Sequence, residues 1–444
     1  VDPRLAPLAL CILLCGCAAP AAAPSAAPGP AQPALTCPAP CKTLVDPNPD
    51  QPREPALAVD PRDERHVLAA SMSLAGVMPV AARQQLLLHE SRDAGATWTT
   101  RPFVLPGAPD AETYDATLVF LPDGSAVLGG LAVDGAYYAG GLAQTQSRVF
   151  AARSPAGSLD FPEASIVATG EGAEAQALAL DGGARLVALE KPAFALAPDG
   201  TLLAAFGARE RATPADEERS VMLVSVSRDG GRTWVAASAP EAAGNAMTGA
   251  PAVAPEGAWV LPFARFVSVA DVRAGNVSCA VAVSRDAGRA WAIADLGACA
   301  WLPVVALGPA RWEVVYPVGG QAGETLVARG SRDAGATWTA PRVIDAPEAK
   351  GATVPALVAM GNGTWIATFF HAIPSGGTSY RAVSFTSEGV AAPIVLDPTI
   401  TDPPAALGEY FGLVRTRDHE ALAAWSGSNG NELAIFCARL LARL

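Results

Sequence analysis

The sequence predicts an all-β fold made of seven repeated four-stranded antiparallel sheets, and three observations carry that prediction. An octapeptide with a turn at its centre recurs four times, a strand–turn–strand unit recurs about every 59 residues, and Gly and Pro are too frequent for many long helices. The chain has 42 glycines and 39 prolines in 444 residues, with 50% hydrophobic and 17% charged, the balance of a turn-dense folded protein rather than a disordered one. Its 31 Lys and Arg against 43 Asp and Glu give a net charge of −12, which argues against a nucleic-acid partner.

The N-terminal segment stands apart from the repeats. The apolar run from Leu5 to Gly16 follows Arg4 and is shorter than the roughly 20 residues a bilayer-spanning helix needs. It ends in Leu14-Cys15-Gly16-Cys17, which resembles a bacterial lipobox. The resemblance implies a signal peptide over residues 1–16, lipid on Cys17 and membrane contact through that anchor only, each buried methylene contributing about 0.8 kcal/mol. Residues 17–42, rich in Ala and Pro, read as a tether, and 43–444 as the folded domain. Ala18 beside the lipidated cysteine resembles the outer-membrane sorting pattern, so the expected location is exported and membrane-anchored, at the outer membrane or cell surface.

The octapeptides are Ser91 to Trp98, Ser227 to Trp234, Ser284 to Trp291 and Ser331 to Trp338. In each, an aspartate (Asp93, Asp229, Asp286, Asp333) can accept backbone N–H bonds inside a tight hairpin, and a glycine two residues on supplies a positive φ. The tryptophans Trp98, Trp234, Trp291 and Trp338 are expected to plug a core, a burial worth at most about 5 kcal/mol each. Degenerate copies are read at Arg153–Phe161 and Thr386–Gly389, which makes six hairpins.

This octapeptide resembles the Asp box, or BNR repeat, of the sialidase-like β-propellers. The resemblance implies closed propeller blades, with the box on the hairpin between the third and fourth strands and on the face opposite the functional site. Seven modules fit the spacing, opening at Pro55, Asp115, Pro192, Pro251, Leu302, Pro355 and Phe411, with six blades as the alternative. The seventh module ends after three strands, and an unpaired outer edge is costly, so Thr43-Leu44-Val45 is expected to complete it. On that arrangement one of Cys37 or Cys41 (Cys41 in the preferred pairing) should bond Cys437, and Cys279 should bond Cys299, as an exported compartment permits.

If the octapeptides mark one face, the start of each inner strand lies on the other. The residues there are Arg53 and Glu54, Glu112, Tyr114 and Asp115, Glu190 and Lys191, Trp301, Lys350, and Glu409 with Tyr410. Loops on that face add Asp134, Tyr137, Tyr138, the charged run from Arg209 to Arg219, Arg265, Phe266, His371, Tyr380 and the stretch Ser426–Asn431. The first reading is a surface-tethered propeller that binds carbohydrate or a cell-envelope protein there, as a monomer. The second follows from the resemblance: an exo-acting sialidase-type glycoside hydrolase acting on an acidic sugar. It would use Tyr410 as nucleophile, Glu190 or Glu409 as its helper, and Arg53 and Arg265 clamping a carboxylate; Arg53-Glu54-Pro55 resembles the Arg-Ile-Pro element of that family, with Glu replacing Ile. The scattered histidines His66, His89, His371 and His419 give no zinc spacing, and no glycine-rich phosphate loop opens a helix, so neither metal nor cofactor is expected.

Overall fold

The computed structural model describes residues 34–443, except 47–51, 74–83, 135–145, 170–184, 212–218, 241–244, 269–270, 272–276, 321–322, 346–350, 362, 374–376, 402–406 and 431. Two short strands come first, β1 (Ala34–Thr36) and β2 (Thr43–Asp46). Seven sheets follow in chain order, each a blade that begins at its inner strand. Blade 1 is β3 (Arg53–Asp60), β4 (Asp63–Met72), β5 (Leu86–Ser91) and β6 (Thr99–Pro102). Blade 2 is β7 (Glu112–Phe120), β8 (Ala126–Asp134), β9 (Gln146–Ser154) and β10 (Glu163–Thr169). Blade 3 is β11 (Arg185–Leu196), β12 (Leu202–Arg211), β13 (Arg219–Ser227) and β14 (Val235–Ala237).

In blade 4 the inner position is shared by β15 (Asn245–Thr248) and β16 (Ala252–Val253), ahead of β17 (Trp259–Phe266), β18 (Val277–Ser284) and β19 (Ala292–Cys299). Blade 5 is β20 (Val304–Leu307), β21 (Trp312–Gly320), β22 (Gly323–Ser331) and β23 (Arg342–Val343). Blade 6 is β24 (Ala352–Ala359), β25 (Trp365–Ala372), β26 (Thr378–Phe385) and β27 (Ile394–Ile400). Blade 7 contributes β28 (Gly412–Arg417), β29 (Glu420–Asn429) and β30 (Glu432–Arg443). The architecture is a seven-bladed β-propeller of antiparallel sheets, settling seven over six.

Strands sandwiched between two blades must be apolar on both faces, and this explains the hydrophobic, alanine-rich composition. β29 reads Glu-Ala-Leu-Ala-Ala-Trp-Ser-Gly-Ser-Asn, and its first eight residues are buried. The buried apolar side chains sort into seven clusters, one at each seam between neighbouring blades. Seams packed this way set the blades around a channel lined by the inner strands.

The ring closes through the N-terminal segment. β2 pairs antiparallel with β30, Thr43 opposite Cys437, and β1 pairs further along the same strand, Ala34 opposite Arg443. Thus β1 lies inside the segment read from sequence as tether: Leu35 is buried at the seam of blades 6 and 7, an anchor that the surrounding Ala and Pro obscured. Lys42 adds an ion pair to Asp397 of blade 6 at 2.5 Å and stands over the Phe436 ring.

The cysteines pair differently from one expectation. Cys279 is bonded to Cys299, joining β18 to β19. Cys37 is bonded to Cys41, not to Cys437, which is a buried free thiol. The reason is the face each presents. Cys437 points into the seam with blade 1, its Sγ 3.5 Å from the Gly95 carbonyl oxygen, whereas Cys37 and Cys41 pack against the seam of blades 6 and 7.

All four octapeptides occupy the turn between the third and fourth strands of their blades, and the two degenerate copies fill the same place in blades 2 and 6. The aspartate Oδ1 accepts the backbone N–H four residues on, at 2.8–2.9 Å, in Thr97, Thr233, Ala290 and Thr337. The leading serine hydroxyl donates to that aspartate and accepts the N–H of the turn glycine. These bonds hold the Asp333 carboxyl down at about 2, with the Thr337 hydroxyl the largest cause. Each tryptophan is half-buried rather than a full plug, because it covers the outer end of the seam with the preceding blade; Trp98, for instance, packs on the cluster shared by blades 7 and 1.

Ser227 is 1% exposed, so Ser227→Ala leaves the Gly231 N–H without an acceptor in a site closed to water. The expected cost is about 1–3 kcal/mol, read as a lowered midpoint in urea unfolding with unchanged slope.

Candidate functional site

The octapeptide hairpins and the turns joining first to second strands share one face, so every inner strand starts at the opposite face. There the strands are not regular. In blades 1, 2, 3 and 6 the register between first and second strands slips by one residue, so that two residues of the inner strand oppose one. The first residue of each slip is left-handed: Glu54 (φ 55°), Asp115 (54°), Lys191 (52°) and Val354 (49°). A non-glycine residue pays about 1–2 kcal/mol for that conformation, a cost that concentrates where a side chain must be aimed.

The channel between the inner strands has a volume of about 370 Å³ and takes wall residues from all seven blades, among them Leu57, Thr117, Pro251 and Pro355. Lys191, Trp301, Glu409 and Tyr410 line it at the end where the inner strands begin. Lys191 forms an ion pair with Glu409. Because Lys191 belongs to blade 3 and Glu409 precedes the inner strand of blade 7, the pair spans the mouth over blades 1 and 2. The Lys191 Nζ lies 5.9 Å from the centre of the Tyr410 ring.

Behind Tyr410 stand two carboxyls. The Tyr410 ring is partly open to the channel while its hydroxyl is buried against Glu54 and Asp115. Burial, with the two neighbouring carboxylates, keeps that hydroxyl protonated far above its ordinary range. Glu54 is 6% exposed; burial first, and the facing Asp115 second, push its carboxyl up to about 7, against partial relief from Lys191, Tyr410 and Arg53. Its Oε1 accepts the Glu409 backbone N–H at 2.8 Å, and Asp115 Oδ2 accepts that of Lys191 at 3.2 Å. Gly408 (φ 115°) has no room for more than a hydrogen, since a Cβ there would stand 2.4 Å from Glu54 Cγ.

The raised Glu54 pKa has a signed consequence. The unfolded chain ionises Glu54 near 4.5 and the folded protein near 7, so between those values the native state holds the extra proton and stability falls as pH rises. Glu54→Gln removes that penalty. The variant should gain on the order of 3 kcal/mol over the parent between pH 5 and pH 8, measured by urea unfolding at both. An equal pH dependence in both proteins would contradict the assignment.

Of the residues singled out from sequence as catalytic, Tyr410 and Glu409 line the channel mouth. Glu190 does not: one residue before the left-handed Lys191, it turns aside to pair with Arg209 at 3.0 Å. Arg53, one residue before Glu54, does not line the channel, and its charge helps to lower the pKa of that carboxyl. Arg265 is removed from it, since its guanidinium reaches Asp295 on the outermost strand of blade 4 at 2.5 Å. No arginine lines the channel among the described residues. Tyr380 is fully buried between blades 6 and 7, Ser426 is fully buried on β29, and His371 is buried at blade 6. Lys350, Tyr137, Tyr138 and Cys17 lie outside the described residues. Among the described residues no group of three or more His, Cys, Asp or Glu is placed to hold a metal ion, and no helix is long and apolar enough to cross a membrane.

The bulge residues carry a positional mark in the sequence. Glu54, Asp115 and Lys191 each directly precede a Pro or Ala of an inner strand, and that is where the left-handed bulge falls.

Fold and site together define a seven-bladed propeller with an acid-and-aromatic cluster at one mouth of its central channel. In fold it is similar to a protein of unknown function from Dyadobacter fermentans, at 14% identity and TM-score 0.56, covering 92% of this chain and 99% of that one. Weaker likenesses include the Hadza microbial sialidase Hz136 (17% identity, TM-score 0.49, 72% of this chain and 63% of that one). The α-L-arabinofuranosidase Arb93A of Fusarium graminearum gives 14% and 0.49, over 90% and 97% of the two chains. No family model matches the sequence, and no curated protein matches it.

Proposed function

We propose that this protein is a carbohydrate-binding propeller that takes the end of a glycan at the channel mouth. The observation that carries the reading is the convergence of Tyr410 and Trp301 with the polar groups Lys191 and Glu409 at a concave opening of about 370 Å³. Aromatic faces supply the flat apolar contact a sugar ring favours, and a few fixed polar groups orient its hydroxyls. Glycan-array binding by the purified chain, weakened about tenfold or more by Tyr410→Ala, is the expected result; an array without signal removes the reading.

A second reading, glycoside cleavage, is favoured by one feature, the proton-bearing Glu54 beside the Asp115 carboxylate. It replaces the helper residues expected from sequence: Glu54 and Asp115, rather than Glu190 or Glu409, flank the Tyr410 hydroxyl. A carboxylate clamp built from Arg53 and Arg265 finds no support at the described mouth. Aryl-glycoside turnover that disappears in Glu54→Gln would favour it over binding alone.

The sialidase-like, Asp-box assignment rests on the four octapeptides, whose turn geometry supports it. Export as a Cys17-anchored lipoprotein rests on the lipobox resemblance and is consistent with the two disulfides. Anchorage at the outer membrane or cell surface, with the molecule monomeric and a cell-envelope protein as the other class of partner, completes the proposal.

A further inference from the structure

We infer that the ligand group this mouth selects is a primary ammonium, as on a 2-amino sugar, and that Lys191 occupies its place in the unliganded protein. The inference rests on the sugar-binding reading and specifies its substrate class.

The charges at the mouth set the direction. Glu409 lines it, Asp115 stands behind Tyr410, and Lys191 is the one cation among the described lining residues. A carboxylated sugar would enter against these acids, with no arginine among the described lining residues to receive it. A cation would enter with them. The Lys191 ammonium demonstrates the geometry: it touches the Glu409 carboxylate and lies 5.9 Å from the Tyr410 ring centre, within the range of a cation–π contact.

Lys191 is held there by its backbone and loosely by its partner. The left-handed φ of 52° and the bond from its own N–H to Asp115 aim the side chain across the opening from blade 3. Its ion pair joins a Lys191 side chain that is 15% exposed to a Glu409 side chain that is 42% exposed, so solvent reaches and screens the pair from the Glu409 side. A flexible four-carbon stem can swing away when a ligand ammonium arrives, leaving Glu409 and the Tyr410 face to the newcomer. Lys191 is then a competitor in place, not the anchor for an acid.

The test is titration calorimetry of the full chain with three probes: the tetramer of glucosamine, the tetramer of N-acetylglucosamine, and sialyllactose. The free-amine tetramer should bind about tenfold or more tighter than its acetylated counterpart, with sialyllactose weakest, the ratios expected when one unit charge faces a carboxylate. Lys191→Met, which keeps the stem, should tighten the amine probe further and widen its advantage over the acetylated one; Lys191→Arg keeps the competing charge and controls for folding. Equal binding of the two tetramers overturns the inference and leaves sugar binding standing. Sialyllactose binding that is lost in Lys191→Met overturns it too, by making Lys191 an acid's anchor. Failure of all three probes removes the sugar-binding reading and the inference together.

Discussion

Removal of residues 34–46 is expected to abolish the monodisperse, cooperatively folding protein. These residues supply both strands that pair with β30 and bury Leu35 and Val45, which are 6% and 3% exposed. Without them a twelve-residue strand rich in Leu, Ile, Phe and Ala presents its bare hydrogen-bonding edge, the template for edge-to-edge association. Size-exclusion chromatography should show aggregates, and the thermal transition should broaden and move to lower temperature. Adding the excised segment as a peptide should restore the monomer peak. A truncated chain that stays monodisperse with an unaltered transition would show that blade 7 is complete with three strands.

Trp425→Ala is expected to be the most damaging single substitution at a tryptophan, costing about 3–5 kcal/mol in urea unfolding. Trp425 is wholly buried, stacked on Tyr380 with ring centres 4.9 Å apart and on Phe436 at 6.1 Å. Its indole N–H donates to Asp397 at 3.2 Å, the carboxylate that also receives Lys42. The substitution therefore opens a cavity at the seam of blades 6 and 7 and removes one of the two donors to a buried charge. Trp338→Ala, at a half-buried octapeptide tryptophan whose ring covers the end of a seam, should cost clearly less under the same conditions. Equal losses would mean that the octapeptide tryptophans carry core packing after all.

What was legible in the sequence was local or periodic. The octapeptides announce their own turn, since serine, aspartate and glycine all act within eight residues of chain. The missing strand of blade 7 could be placed because an unpaired edge has to be accounted for. The cysteine pairing failed where it depended on which face of β30 a side chain takes, and a one-residue difference in register reverses that. The same parity governs the site. Alternation along an inner strand does not reveal that a left-handed bulge turns Glu54 inward instead of Arg53, or Lys191 instead of Glu190. Arg265 was lost to Asp295, a partner thirty residues away on another strand, which no short-range pattern encodes.

The pairing of Ala34 with Arg443 sets a timetable for synthesis. The ribosome makes β1 and β2 before all six complete blades, yet their partner β30 follows those blades. Until β30 has been made the earlier segment has nowhere to dock, and blade 1 lacks its neighbour on one side. The circle is therefore finished late, by a contact of very large sequence separation, and that joining step should govern how slowly the protein matures.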